Sequence, residues 1–419
     1  MTRTAAAVED YALDEEIARL TAERATLDAR ARSIEDDDRR AYALDIVRRC
    51  DDAIATLERA AAALSSNEEE NAADAPTTTT APMTVTRVDA LELTPKRFRE
   101  EYVATDTPVV ITGLGDVLTV DGARGAECEW LTRLAGNKKI AVTRNDAHRS
   151  NELSCATTDV VDLKDYVREV MEDGAPGSYL YDASIPLKLP SLAEAIRMPK
   201  YFAHDYLQKT MRMTAFSRSW PSLFVAARDT RSSLHVDQWH GHFFMAMVRG
   251  TKRWTIFDRS STAFLRPSWL RGTLDPAMPN LEDQGLYYDP SADVSSSSSS
   301  SFSVRRRLAK RWDVDLGPGE VLFVPGGAPH AVHNLDCTVA FAGNFIDDTN
   351  IDRALYDLKL MGLNQGARMM ETGFAPLDEV DFSDETFLEE AENATTTTTT
   401  TTYDDLVVNI SDYLSSSSR

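Results

Sequence analysis

Cysteine is scarce in this sequence, with four residues in 419: Cys50, Cys128, Cys155 and Cys337. They are scattered, and no two of them form a Cys-x-x-Cys pair. This spacing argues against a disulfide framework and against a cysteine-ligated zinc site. It favours a reducing compartment.

Long apolar runs are missing as well. No apolar stretch approaches the roughly 20 residues that a helix needs to cross a bilayer. Residues 1–10 lack the apolar region of a secretory signal peptide. We therefore expect a soluble, intracellular protein, nuclear or cytoplasmic, with no membrane partner.

Positive charge is in deficit, because 45 Lys and Arg stand against 67 Asp and Glu, a formal net charge of −22. Such a surface favours a basic protein or peptide as partner, although the charge could serve solubility alone. It does not favour nucleic acid. One basic run, Arg305–Arg311, leaves open a nuclear-localisation or nucleic-acid patch, beside the alternative that it pairs with carboxylates of the same chain.

Histidine is also rare, and two of the seven histidines stand in a pattern typical of a metal site. His235 and Asp237 lie two apart in a β-prone stretch, and side chains at i and i+2 of a strand share a face. His330 follows much later, after a short apolar segment and a Pro-Gly-Gly break. Two imidazoles and one carboxylate that leave positions open form the ligand set of a non-haem Fe(II) oxygenase. A His-x-Asp pair alone is a weak signal, since a histidine beside a turn-capping aspartate has the same pattern.

Short apolar segments flank these residues. Residues 243–248 and 253–257 are separated by a glycine turn, and residues 321–324 and 338–342 are bounded by turn residues. Closely spaced short strands predict a mainly β fold, either a barrel or a double-sheet jelly roll.

Three motifs make this region similar to the JmjC (cupin-like) 2-oxoglutarate oxygenases. They are His-Val-Asp followed by Val-Arg-Gly-Thr-Lys-Arg-Trp, Phe-Val-Pro-Gly-Gly-Ala-Pro-His, and Asn-Leu-Asp-Cys-Thr-Val-Ala-Phe-Ala-Gly-Asn-Phe. The region most resembles the branch known for arginine demethylase and lysyl hydroxylase activities. The resemblance implies a double-stranded β-helix with flanking helices.

The same resemblance implies roles for particular residues. The two histidines and the aspartate described above become the Fe(II) ligands. Lys252 matches the lysine that receives the distal carboxylate of 2-oxoglutarate, where a cation is needed to pair with a partly buried anion. Asn344 and Tyr179 match polar positions that line the same pocket.

The activity that the resemblance implies uses Fe(II), 2-oxoglutarate and O2. The cosubstrate is converted to succinate and CO2 while a C–H bond of the substrate is hydroxylated; an N-methyl group hydroxylated in this way is lost as formaldehyde. The implied substrate is a macromolecule, and lysine or arginine side chains of proteins are the favoured class. No acidic or basic side chain of the enzyme is needed for the main step. Two alternatives are a catalytically silent cupin-like binding or scaffold module and an oxygenase acting on RNA.

Four residues at three places in the chain depart from the pattern of that branch. Ala342 replaces a threonine and Met245 replaces an asparagine in the cosubstrate pocket, and Ala328-Pro329 replaces an aromatic pair before the second histidine. The two lost polar contacts should weaken or reshape cosubstrate binding, and they motivate the silent alternative.

The remaining histidines are weaker candidates. His333 is an alternative to His330, but it lies three residues on and would face the other side of a strand. His240 and His242 are interpreted as second-shell or pocket-rim residues rather than ligands. His148 and His204 lie outside any pattern.

The chain divides by composition. Residues 1–66 show two runs of apolar side chains at four–three spacing and predict a helical hairpin or coiled coil, which could serve self-association or pack on the enzyme's own barrel. Residues 67–85 read as a disordered linker and residues 86–347 as the oxygenase domain, with a low-complexity loop at 295–301. Residues 348–419 are predicted to be helical and then a disordered acidic tail.

Overall fold

Short apolar strands separated by glycine and proline turns fold into two facing β-sheets. The computed structural model describes residues 5–66, 82–121, 128–144, 158–172, 177–203, 205–209, 220–270, 278–281, 308–360 and 401–416. The strands are β1 Met83–Thr84, β2 Thr86–Asp89, β3 Val109–Thr112, β4 Lys139–Arg144, β5 Thr158–Asp162, β6 Ser178–Ser184, β7 Arg197–Pro199, β8 Ser222–Ala226, β9 Arg231–His235, β10 His242–Arg249, β11 Lys252–Phe257, β12 Pro267–Ser268, β13 Asn280–Leu281, β14 Arg311–Leu316, β15 Val321–Val324, β16 His330–Asn334, β17 Thr338–Phe345 and β18 Val407–Asn409.

Helices flank the sheets. The α-helices are α1 Ala5–Arg32, α2 Asp37–Ser66, α3 Pro95–Phe98, α4 Glu129–Ala135, α5 Leu163–Met171, α6 Ile185–Lys188, α7 Tyr206–Lys209, α8 Ile351–Leu360 and α9 Ile410–Ser416. A π-helix spans Arg99–Val103, and 3-10 helices span Pro190–Leu192, Lys200–Phe202, Gln238–His240, Arg259–Leu265 and Tyr403–Leu406. In the described part of the chain, none of these helices has the length and apolar character that crossing a membrane requires.

The larger sheet has nine strands in the order β2-β3-β15-β10-β17-β8-β6-β4-β5, and the smaller has five in the order β1-β14-β11-β16-β9. Side chains from both sheets meet in one apolar layer, which includes Trp254 and Val332 from the smaller sheet and Phe243 and Leu322 from the larger. A second apolar layer covers the other face of the nine-stranded sheet and contains residues of α4 and α5. This is the jelly-roll arrangement that the sequence predicts.

Helices α1 and α2 pack against each other, and the pair also packs on the β domain. Their apolar stripe, which includes Leu20 and Leu57, shares a cluster with Ala263 and Trp269 beyond β11. Charged contacts complete the interface: the Arg49 guanidinium donates to the Asp357 carboxylate of α8 at 2.7 Å. The described contacts therefore place the hairpin on the chain's own barrel.

The C-terminal segment differs from the disordered tail that the sequence predicts. Within residues 401–416, strand β18 pairs antiparallel with β7, and helix α9 buries Ile410 and Tyr413. The Tyr413 hydroxyl donates to the Asp205 carboxylate at 2.9 Å. The apolar side chains at 407, 410 and 413 form a stripe too short to be recognised beside a threonine run.

The N-terminal boundary also differs slightly. Strand β1 lies inside the stretch predicted as linker and pairs with β14, so ordered structure begins before residue 86. Several predictions fall outside the described residues: those on 67–81, 295–301, 305–307 and 361–400, and on His148 and His204. In the described part of the basic run, Lys310 pairs with Asp258 and Arg311 with Asp313, each at 3.2 Å, which favours the internal-pairing alternative.

Candidate functional site

The end of the five-stranded sheet brings the two distant histidines together. Strands β9 and β16 pair antiparallel with His235 directly opposite His330, and the two ring centroids lie 4.3 Å apart. Asp237 follows two residues beyond the end of β9, with its Oδ1 3.6 Å from His235 Nε2 and 4.0 Å from His330 Nε2. One ligand atom from each residue lies within 4.8 Å of the others. The geometry thus assembles the predicted cluster.

Hydrogen bonds orient both rings. His235 Nδ1 lies 2.7 Å from the Ser233 carbonyl oxygen, and His330 Nδ1 lies 3.0 Å from the Ala328 carbonyl oxygen. A carbonyl oxygen can only accept, so in the neutral imidazole Nδ1 carries the proton and Nε2 keeps a free lone pair. Both free lone pairs belong to the cluster. Histidines that bind a metal through Nε2 typically donate the Nδ1 proton to a backbone carbonyl or a carboxylate in this way.

The carboxylate is held in the same manner. The Asn344 side-chain amide on β17 donates to Asp237 Oδ2 at 2.8 Å. Oδ1, the oxygen nearer both imidazoles, is then available as a single ligand atom. Two imidazole nitrogens and one carboxylate oxygen, each on a side chain that a neighbour holds in place, fit a divalent transition metal.

The surroundings keep His330 neutral. Burial is the largest cause that lowers the pKa of His330, to about 4, and His235 lowers it further. A neutral ring is the form that binds metal. The tight turn before β16 contributes to this placement, because Gly326 packs so closely on the His240 carbonyl that a Cβ there would lie 2.1 Å from its oxygen.

A cavity of about 560 Å³ opens beside the cluster. Its walls are mainly aromatic and apolar, with a few polar side chains that converge on the three residues, as in pockets that bind small molecules. Lining residues that matter below are Tyr179, Tyr181, Asp182, Trp220, Trp239, Met245 and Asn344.

The other described histidines stand outside the cluster. His333 faces the other way, with Nε2 3.3 Å from Asp229 Oδ1. His240 lies 3.5 Å from the buried Asp357 carboxylate, and His242 accepts from the Gly326 backbone amide at 2.9 Å. The geometry therefore favours His330 over His333.

Lys252 is fully buried at the start of β11. Its ammonium donates to Asn334 Oδ1 at 2.6 Å and to the Tyr179 hydroxyl at 3.2 Å, and both partners are neutral. Among the described residues, no carboxylate lies within 4.0 Å of it. Lys252 sits behind Tyr179 rather than in the cavity wall itself. A buried cation without an anion is costly, so this position fits an incoming carboxylate.

The two residues that depart from the family pattern, Met245 and Ala342, are neighbours in space. Met245 on β10 is directly opposite Ala342 on β17, and both are buried in the layer between the sheets. A long apolar side chain therefore lies beside a short one, and together they form an apolar patch in the layer between the sheets. Polar contacts near Lys252 come instead from Tyr179 and from Asn334.

Asn334 is a functional candidate that the sequence pattern did not single out. Its amide donates to the Thr230 hydroxyl at 2.9 Å, which fixes Oδ1 toward Lys252. The available signal was its spacing of four from His330 on one strand, which places both side chains on the same face.

Residues 95–350, more than half of the chain, match the family of cupin-like domains. The chain belongs to this family. Membership confirms the predicted double-stranded β-helix of the cupin-like domain.

Several curated proteins are similar over this cupin-like domain. The 2-oxoglutarate and iron-dependent oxygenase JMJD4 of Danio rerio is 24% identical over 191 residues, 45% of this chain and 41% of that protein. The bifunctional arginine demethylase and lysyl-hydroxylase psr-1 of Caenorhabditis elegans is 24% identical over 283 residues, 64% and 62% of the two chains. The arginine-specific demethylase JMJ20 of Arabidopsis thaliana is 24% identical over 292 residues, 64% and 58%. The chain thus spans between two fifths and three fifths of these relatives.

Burial makes the charge of Lys252 pH-dependent. It lowers the lysine pKa from 10.5 to about 7, so between pH 7 and 10.5 the folded protein binds fewer protons than the unfolded chain. The ligand-free protein should therefore gain stability as pH rises through this window, by at most about 1.4 kcal/mol per pH unit. Thermal melts in the absence of 2-oxoglutarate, from pH 6.5 to 9, measure this; a flat profile would contradict it.

Proposed function

We propose that the protein is an Fe(II)- and 2-oxoglutarate-dependent dioxygenase that hydroxylates or N-demethylates a protein substrate. The observation that carries this proposal is the cluster of His235, Asp237 and His330, whose free ligand atoms face a cavity of about 560 Å³. Membership of the cupin-like family and the activities named for the relatives support it.

The two histidines would hold the iron through their Nε2 atoms, and Asp237 would hold it through Oδ1. Asn344 keeps the second carboxylate oxygen engaged, and the two backbone carbonyls keep the imidazole protons on Nδ1. The iron, when bound together with 2-oxoglutarate and O2, supplies the oxidising chemistry that inserts oxygen into a C–H bond. The protein holds the ligands on one side and leaves the cavity side open.

Lys252 would receive the far carboxylate of 2-oxoglutarate. Tyr179 and Asn334 hold the ammonium in place, and the buried position makes the resulting ion pair stronger than one in water. Tyr179 lines the cavity and Lys252 lies behind it, so the far carboxylate of 2-oxoglutarate would contact the Tyr179 hydroxyl as well as the Lys252 ammonium. Met245 and Ala342 then contact the cosubstrate through apolar groups alone.

The substrate is proposed to be a basic segment of a protein, with a lysine or arginine side chain entering the cavity. The formal net charge of −22 supports attraction to such a segment, and lysine and arginine are the residues named for the psr-1 and JMJ20 relatives.

Succinate formation tests this function. Full-length protein loaded with Fe(II) is expected to release succinate from 2-oxoglutarate, and lysine- or arginine-containing peptides should raise the rate several-fold over peptides with norleucine or citrulline at the same position. The physical reason is that a bound substrate side chain completes the pocket and excludes water. Mass spectrometry of the peptides would read a gain of one oxygen, or the loss of a methyl group as formaldehyde.

Two arms separate the alternatives. Chelation of the metal should stop succinate release, and a structured RNA offered in competition should leave the peptide-stimulated rate unchanged. If RNA stimulated succinate release and the peptides did not, the substrate would be RNA rather than protein. Iron binding without succinate in any arm would overturn the proposal in favour of a silent binding module, with Met245 and Ala342 as the sites to revert.

A further inference from the structure

One carboxylate of the cavity wall belongs neither to the metal cluster nor to the cosubstrate position. Asp182 lies in the middle of β6, between Tyr181 and the buried Ala183, and it is the exposed residue of that strand. It lines the same cavity as His235 and His330. Its exposed surface therefore contributes to the wall that an incoming substrate meets.

A β-bulge aims this side chain. The pairing of β6 with β8 shifts by one residue between Leu180 and Ala183, and Asp182 adopts a positive φ of 50°. A positive φ is uncommon outside glycine, although aspartate and asparagine tolerate it. Bulges beside active sites typically redirect a side chain. Here the bulge interrupts the regular pairing of β6 with β8, and the Asp182 side chain lies in the cavity wall.

Among the described residues, the Asp182 carboxylate contacts neutral side chains and no cation. The Ser222 and Trp220 side chains donate hydrogen bonds to it, and both are neutral. Although Asp182 keeps exposed surface on the cavity side, the protein that encloses its carboxylate raises its pKa, the nearby Asp237 raises it further, and the exposed Lys188 lowers it. In the part of the chain that the structure describes, no cationic nitrogen lies within 4.0 Å of this carboxylate.

Aromatic side chains surround the same part of the cavity. Tyr181 adjoins Asp182 in the chain, Trp220 bonds to it, and Trp239 lies in the cavity wall next to the metal cluster. Ring faces attract cations as well as apolar methylene groups. An acid among aromatic rings is therefore suited to a long side chain with a positive end and an apolar stem.

We propose that Asp182 is the specificity-determining residue that binds the cationic end of the substrate side chain. This inference rests on the proposed function, since it assigns the substrate class of the same cavity. The ammonium of a lysine or the guanidinium of an arginine would form a charge-assisted hydrogen bond with the carboxylate. The methylene stem would then pass along the rings beside the metal cluster.

Binding rather than turnover tests this inference. The full chain is loaded with Mn(II) and 2-oxoglutarate, and capped Gly-Gly-X-Gly-Gly peptides are titrated, with X as lysine, arginine, norleucine or citrulline. Broadening of the X side-chain proton signals by Mn(II) reports entry beside the metal. We expect lysine and arginine peptides to bind about 10- to 100-fold more tightly than their neutral counterparts, as a charge-assisted hydrogen bond implies.

The Asp182→Asn variant removes the charge and keeps a residue that tolerates the positive φ. It should lower the affinity of the lysine and arginine peptides to that of the neutral ones and leave the neutral peptides unchanged. The matched control is Asp116→Asn, an exposed carboxylate away from the cavity, which should change neither. Comparison of lysine with arginine identifies which cation is preferred.

The outcomes are separable from those of the proposed function. Equal binding of charged and neutral peptides by the wild-type protein overturns the role of Asp182, whether or not the variant folds. Equal loss of all four peptides in Asp182→Asn also overturns it, because a purely structural role would have that effect. Charge-dependent binding without succinate formation would keep this inference and remove the oxygenase activity.

Discussion

Replacement of His330 by alanine is expected to reduce succinate formation by at least about 100-fold. Loss of a partner that only orients a metal ligand typically costs 10- to 100-fold in affinity or activity, and loss of a ligand costs more. His330 is 3% exposed and its Nε2 has no role in the described residues outside the cluster, so substitution leaves only two ligands. Measurements of Fe(II) affinity and succinate release on the same preparation of His330→Ala and wild-type protein test this prediction.

The chain contains its own matched control for this experiment. His333 lies on the same strand three residues later and pairs with Asp229 at the surface. His333→Ala should bind iron and form succinate at close to the wild-type rate, with melting temperatures of both variants confirming that they fold. If His333→Ala instead abolished iron binding while His330→Ala retained it, the assignment of the third ligand would be wrong.

Replacement of Lys252 by methionine is the second large effect. We expect the KM for 2-oxoglutarate to rise by about 100-fold or more, since an incoming carboxylate would lose a charge-assisted hydrogen bond and remain unpaired in a buried position. The kcat at saturating cosubstrate should change much less. The split between KM and kcat separates this role from a direct part in the oxidation.

The ligand-free stability of the same variant gives an independent readout. A buried ammonium with neutral partners opposes folding, and methionine has a similar length without charge. Lys252→Met should therefore melt no lower than the wild type at pH 7 without 2-oxoglutarate, and it should lose the thermal shift that 2-oxoglutarate gives the wild type. The exposed Lys96→Met is the control, and it should alter neither value. A large destabilisation with normal KM would contradict the proposed anchor.

The sequence was sufficient for the fold family because strands and turns leave short-range signals, and signals of the same kind made His235, Asp237 and His330 the candidate metal ligands. His-x-Asp on a strand places two side chains on one face, and the Pro-Gly-Gly break before His330 marks the turn that enters β16. These patterns depend on neighbours in the chain. The pairing of His235 with His330 is long-range, and only the family resemblance could anticipate it.

Other features depend on contacts that sequence spacing does not encode. Met245 and Ala342 look like separate losses along the chain, but they face each other across two strands and form one apolar patch. The bulge at Asp182 and the role of Asn334 beside Lys252 depend on strand register and on a buried neighbour. Periodicity predicted the N-terminal helices, and it could not decide what they contact.

The contact between the N-terminal hairpin and α8 has a consequence for the limits of the folding unit. Asp357 is 1% exposed and contacts both Arg49 of the hairpin and His240. His240 follows Asp237 by three residues in the chain. A fragment cut to the matched residues 95–350 would lack both Arg49 and Asp357, and it would expose the apolar surface around Ala263 and Trp269. The region matched by the family is thus smaller than the set of residues that pack together here, and Asp357, outside that region, contacts His240 in the loop that carries Asp237.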